Sequence, residues 1–163
     1  MTAAHGSSRG PADQEARRSI HDVSLGLETQ RTLLEQIRQL ASSQGSLIES
    51  GQHDSLLALI QSRQDLVKQL DEVRSGMAPA MSRLQQEVDG LPDDIRADLR
   101  TRVNSVRELV GEIAAIDLDD TRMLEQHRTR CRTELEQVAT AASAHAGYHA
   151  PGAPAARFTD ARG

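Results

Sequence analysis

Two pairs of side chains in this sequence have the spacing of metal ligands. His127 and Cys131 lie four residues apart, as do His145 and His149, so each pair would share one face of a helix. A closed zinc site takes four ligands, and the sequence contains neither a CxxC nor an HExxH pattern. The plainer reading makes His127 a half-polar seam residue beside a buried thiol and leaves His145 and His149 in a tail. A third group, Asp117, Asp119 and Asp120, has the carboxylates of an acid–base or cation site. No Gly-rich loop, nucleophile elbow or second cluster accompanies it, and it lacks the glycine and distal Glu of a calcium loop. No catalytic residue, metal or cofactor is expected, and the chain does not read as an enzyme. What remains is the position of these acids, in the middle of the helically spaced apolar run "IAAIDLDDTRMLEQH".

The elements that would carry them are helices. Apolar residues make up 37% of the 163-residue chain and charged residues 26%, which suits thin helical seams better than a thick globular core. The sequence has no Trp, and its single Tyr and Phe are Tyr148 and Phe158. The body must therefore pack through Leu, Ile, Val, Met and Ala, which favours helix on helix over a β-sandwich. A net charge of -5 with no basic face, and no aromatic platforms for bases, argues against a nucleic-acid partner. The lone Cys131 fits a reducing compartment. No run approaches the roughly 20 apolar residues of a membrane span, and the N-terminus lacks the apolar core of a secretory signal. These features predict a cytoplasmic protein with no membrane insertion.

The stripe Ile20, Val23, Leu27, Leu33/Leu34, Ile37, Leu40/Ala41 and Leu47/Ile48 predicts a first helix over about 18–50. Gln30 and Gln44 interrupt its seam. Gly51 in "ESGQHDS" suits a left-handed C-cap, and His53 or Asp54 would cap the next helix. So short a turn implies an antiparallel hairpin. The second helix carries Leu56/Leu57, Leu59/Ile60, Leu66/Val67, Leu70 and Val73, and Gly76 and Pro79 should kink or break it. In "DGLPDD", Gly90 ends a helix, Leu91 or Pro92 begins the next, and Asp93 and Asp94 sit at its positive end.

From Ile95 the stripe continues to Ala142 with no Pro before Pro151, giving a third helix of some 50 residues, roughly 75 Å at 1.5 Å per residue. Asp propensity alone opposes its passage through Asp117–Asp120, by only a few tenths of a kcal/mol per residue, so the helix is read as continuous. The expected fold is all-α: an elongated antiparallel helical hairpin plus a long third helix in a coiled-coil-like three-helix bundle. The domain plan is a disordered segment at 1–18, the bundle at 19–147 and a flexible tail at 148–163. On this fold the acids form a solvated or Arg-paired face, or else a groove wall that hydrogen-bonds a bound helix. Arg63, in line with the second helix's stripe, most simply snorkels to water. Alternatively it pairs with an acid of the long helix and fixes the register. Tyr148 and Phe158 are candidate anchors for a partner's pocket.

The stretch from Leu33 to Val73, a Leu-rich helix, a Gly/Asp turn and a second helix with Leu56, Leu59, Ile60, Arg63, Gln64 and Leu66, resembles the FlgN-type flagellar export chaperones. "IDLDDTRMLEQHRTR" is similar to that family's final-helix region, with Asp117, Asp120, Leu124 and Arg128 at matching positions and Asp where Asn is common. The resemblance covers residues 20–145. It implies a cytoplasmic chaperone that holds the amphipathic terminal helix of late export substrates, the hook–filament junction proteins, and delivers them to the export apparatus. On that reading Ile113, Ile116, Met123, Leu124 and Leu135 bury client surface, Asp117 and Asp120 set its register, and Arg128 joins them among the partner-binding residues. The rivals are a FliT-type flagellar regulator and a structural coiled coil without a client, and the protein would be a monomer or homodimer.

Overall fold

The computed structural model describes residues 11–148, and side chains from 14 to 144. Those residues form three α-helices, α1 (Pro11–Glu49), α2 (His53–Glu87) and α3 (Asp93–Tyr148), with one 3₁₀ turn at Val88–Gly90. No strand occurs among the described residues. The protein is all-α, as expected. Residues 1–10 and 149–163, including Phe158 and His149, lie outside the described residues, as do the side chains of His145 and Tyr148.

α1 begins at Pro11, earlier than the expected start near 18 and inside the segment read as disordered. Pro11 occupies the first helical position, where its fixed φ and missing N–H are tolerated. The Ala, Gln, Glu and Arg residues that follow are good helix formers with no apolar stripe, so propensity rather than periodicity carries this turn. Further along, the polar run Ser42–Ser46 stays helical, and Ser42, Ser43 and Ser46 donate their hydroxyls to carbonyls three or four residues back.

α1 ends at Glu49 and is closed off by Gly51, whose φ of 67° is the left-handed value that favours glycine. Gly51 N–H donates to Ile48 O at 3.2 Å and Gln52 N–H to Leu47 O at 3.1 Å, the paired bonds of a Schellman motif. Neither His53 nor Asp54 caps α2. The cap position is Gln52, without a side-chain bond, and Asp54 lies in the first turn facing the helix's positive end. Pro79 sits inside α2 and does not break it. Its ring and Gly76 face solvent while Met77, Ala80 and Leu84 are buried, so water can satisfy the carbonyl that loses its donor while packing holds the helix together. At the second junction Leu91 is extended, as a residue before proline should be. Its side chain is buried, pinning the turn to the core.

The chain divides into two compact units, the first ending at Met123 and the second starting at Leu124. In the first, α2 runs antiparallel to α1: Gly26 meets Met77, and Arg83 pairs with Glu15 at 3.2 Å. α3 runs parallel to α1, linked by Arg102–Glu28 at 3.4 Å and Arg38–Glu112 at 3.5 Å. The core has two clusters. Val23, Leu27, Met77, Ala80, Leu84 and Leu91 fill one end, and Leu34, Ile37, Leu109 and Ile113 fill the middle, with Leu66 and Leu70 packed against them. The second unit's described part is the C-terminal portion of α3.

Candidate functional site

The acids of the opening stretch lie on an unbroken helix. Asp117 accepts two hydrogen bonds from Arg63, Nη1 to Oδ1 at 2.8 Å and Nη2 to Oδ2 at 2.9 Å. The same Nη1 donates to Gln44 Oε1 at 2.8 Å. One guanidinium therefore ties α1, α2 and α3 together through a residue on each. This corrects the simpler expectation for Arg63: it turns inward to an acid of α3 instead of reaching water. The bidentate fork is specific to Arg. Gln44, which looked like a flaw in the α1 seam, is the acceptor for that fork.

Arg63 is 17% exposed and Asp117 42%, so solvent screens part of the attraction. A double-mutant cycle of Arg63→Met and Asp117→Asn, read by urea unfolding, is expected to return a coupling of about 1 kcal/mol. Arg63→Met alone should cost more than that coupling, because it also strips Gln44 of its donor.

Asp120 is more deeply placed, only 4% exposed. Its Oδ2 has no hydrogen-bond partner. Its Oδ1 lies 3.2 Å from where a Cβ on Gly45 would stand, and Met123 Cε 3.0 Å from the same point. A side chain at Gly45 would crowd both atoms. Burial, reinforced by the neighbouring charges of Asp117 and Asp119 and opposed by Arg63, raises the Asp120 carboxyl above its ordinary range. The native state then takes up this proton at a higher pH than the unfolded chain does. Asp120 thus weakens the fold near neutral pH, and the penalty is relieved as pH falls toward the ordinary carboxylate range. Asp120→Asn is expected to raise stability by about 1 kcal/mol at neutral pH, with the difference from wild type shrinking on acidification. Unfolding midpoints of both proteins across that range check this.

The residues proposed to meet a client do not all lie on one accessible surface. Ile113 is in the core, packed with Leu34, Ile37 and Leu109. Asp120 is buried, Asp117 is engaged by Arg63, and Ile116 and Met123 are half-buried. Ile113 and Asp120 therefore serve the bundle itself. Leu124, Arg128 and Leu135 belong to the second unit and are exposed. From Leu124 to Ala144 every side chain but His127 is exposed. Cys131 is among them, which corrects the expectation of a buried thiol. Leu124 is 45% exposed, Val138 66% and Leu135 70%.

Leu124, Arg128, Cys131, Leu135, Val138 and Ala142 alternate steps of four and three residues, the spacing that keeps one helical face toward a partner helix. Among the described residues no group of three or more His, Cys, Asp or Glu could hold a metal ion, and no helix is long and apolar enough to cross a membrane.

A feature that spacing alone did not suggest lies at the other end of the bundle. A groove of about 340 Å³ opens between α2 and α3, with Val23 and Leu27 of α1 as its floor. Met81, Val88, Leu99 and Val103 form its apolar walls. Its only sequence signal is the seven-residue spacing of Arg100 and Arg107 beside the α3 stripe. No protein-family model, curated protein or solved structure matches this chain.

Proposed function

We propose that this protein is a cytoplasmic helix-binding chaperone of the FlgN type, which shields the amphipathic terminal helix of hook–filament junction proteins and presents them to the flagellar export apparatus. The observation that carries this reading is the exposed 4-3 stripe of Leu124, Leu135 and Val138. Three aliphatic side chains left to water at coiled-coil spacing are what a helix-in-groove partner buries. Each contributes about 1.5–3 kcal/mol when fully covered, a substantial share of the roughly 8 kcal/mol that micromolar affinity represents. The all-α hairpin and long third helix supply a scaffold of the kind the resemblance implies. No cofactor or nucleotide is needed for such a role.

The same stripe favours one other reading, a homodimer without a client. Arg128 argues against its parallel form, since an in-register second copy would stack Arg128 on Arg128 in the seam. A client helix with an acidic residue opposite Arg128 turns that repulsion into attraction. Fluorescence titration of a labelled terminal-helix peptide from a hook–filament junction protein, with the complex's mass measured in parallel, tests the proposal. Saturable binding of one peptide per chain supports it. A dimer that ignores the peptide contradicts it.

A further inference from the structure

We infer that the groove between α2 and α3 is a second docking surface, independent of the client-helix reading, for an amphipathic helix whose apolar stripe is flanked by Asp or Glu. The groove's apolar walls and floor are bordered by Arg96, Arg100 and Arg107, and no carboxylate lines it. This basic edge belongs to a chain of net charge -5. Arg96 is held by Asp93. Arg100 and Arg107 make no ion pair or side-chain hydrogen bond among the described residues, and both are exposed. Two free guanidiniums beside uncovered Val88 and half-covered Leu99 and Val103 call for an occupant that is apolar on one face and acidic at its edge.

The spacing decides between a peptide and an amphiphile with one headgroup. Arg100 and Arg107 are seven residues apart on one helix, roughly 10 Å along its axis. A single carboxylate headgroup cannot meet both, whereas carboxylates seven residues apart on a docked helix match them. The apolar opening is long in the same direction, since its α3 wall runs from Arg96 to Arg107, about three turns of helix. That length accommodates the spaced anchors by which an amphipathic helix is read. The chain's own termini do not fit: residues 149–163 contain one Asp and two Arg, and residues 1–10 no Asp or Glu.

The test uses the full chain and two short fluorescent peptides with the same Leu stripe, one flanked by Glu and one by Lys. The Glu peptide is expected to bind about tenfold more tightly than its Lys twin at low salt, and added salt should narrow the gap. R100E/R107E, both on the exposed surface and therefore expected to keep wild-type helicity, should reverse the preference. The Leu124→Asp/Leu135→Asp variant should keep Glu-peptide binding unchanged. Equal binding of the two peptides, an unaltered preference in R100E/R107E, or loss of binding in the Leu124→Asp/Leu135→Asp variant would each overturn the assignment. Binding of laurate without binding of the Glu peptide would also overturn it, in favour of a lipid-like ligand. Because that Leu variant separates the two surfaces, failure here leaves the client-helix proposal to stand or fall on its own titration.

Discussion

Leu124→Asp combined with Leu135→Asp is expected to weaken binding of a client's terminal helix by at least about 100-fold, with helical content unchanged. Two aliphatic side chains that the client would cover are removed, at about 1.5–3 kcal/mol each, and two carboxylates would have to be desolvated in their place. Each 1.4 kcal/mol is tenfold in affinity, so a 100-fold loss is the lower bound. Both side chains are exposed, so their replacement removes little packing within the protein. Circular dichroism together with the peptide titration reads the two halves of this prediction. Retained binding would move the client off this stripe.

Ile37→Ala is expected to have the largest effect on stability, a loss of about 2–5 kcal/mol by urea unfolding. Ile37 lies in the middle cluster with Leu34, Leu109 and Ile113, packed by Leu66 and Leu70, a cluster built from all three helices. Truncation there leaves a cavity that no single helix can close by shifting alone. Val138→Ala, a smaller truncation at an exposed site in the second unit, should change stability by less than about 0.5 kcal/mol. The contrast between the two is the energetic form of the division at Met123.

The helices and their junctions were legible where a single residue type dictates the backbone. Gly51 stops α1 because the Schellman turn needs a left-handed residue, and Gly90, Leu91 and Pro92 punctuate the second junction for local reasons. Pro79 does not break α2, because its consequence depends on which way the ring faces, and that is set by the docking of Met77 and Leu84 on α1. The Arg63–Asp117 pair spans 54 residues of sequence. Spacing could offer it as one possibility, but only the parallel register of α3 on α1 chooses Asp117 as the partner. The same register puts Ile113 in the core and leaves Leu124 exposed, although both belong to one continuous stripe. Beyond the spacing of Arg100 and Arg107 the groove left no mark in the sequence, because its floor, walls and charged edge come from separate elements, none unusual alone.

Asp120 is the residue at which the sequence's local logic and the bundle's packing disagree most. Its buried Oδ2 has no hydrogen-bond partner, and the Arg63 charge offsets only part of the cost of burying the carboxylate. Its neighbours Asp117 and Arg63 form a satisfied cross-helix tie at nearly the same level. Beyond that level, in sequence, the stripe changes from one the bundle covers to one that is exposed.

On the proposed function, the face carrying Leu124, Arg128, Leu135 and Val138 receives a client helix. Hydrogen exchange of the full chain, with and without a hook–filament junction protein, tests it most directly. Backbone amides between 124 and 142 should exchange fast in the free protein, where almost every side chain of this segment is exposed. On addition of the client they should slow strongly, while amides around Ile37 and Ile113 hold their already high protection. Unchanged exchange over 124–142 in the presence of a client shown to bind would contradict the account.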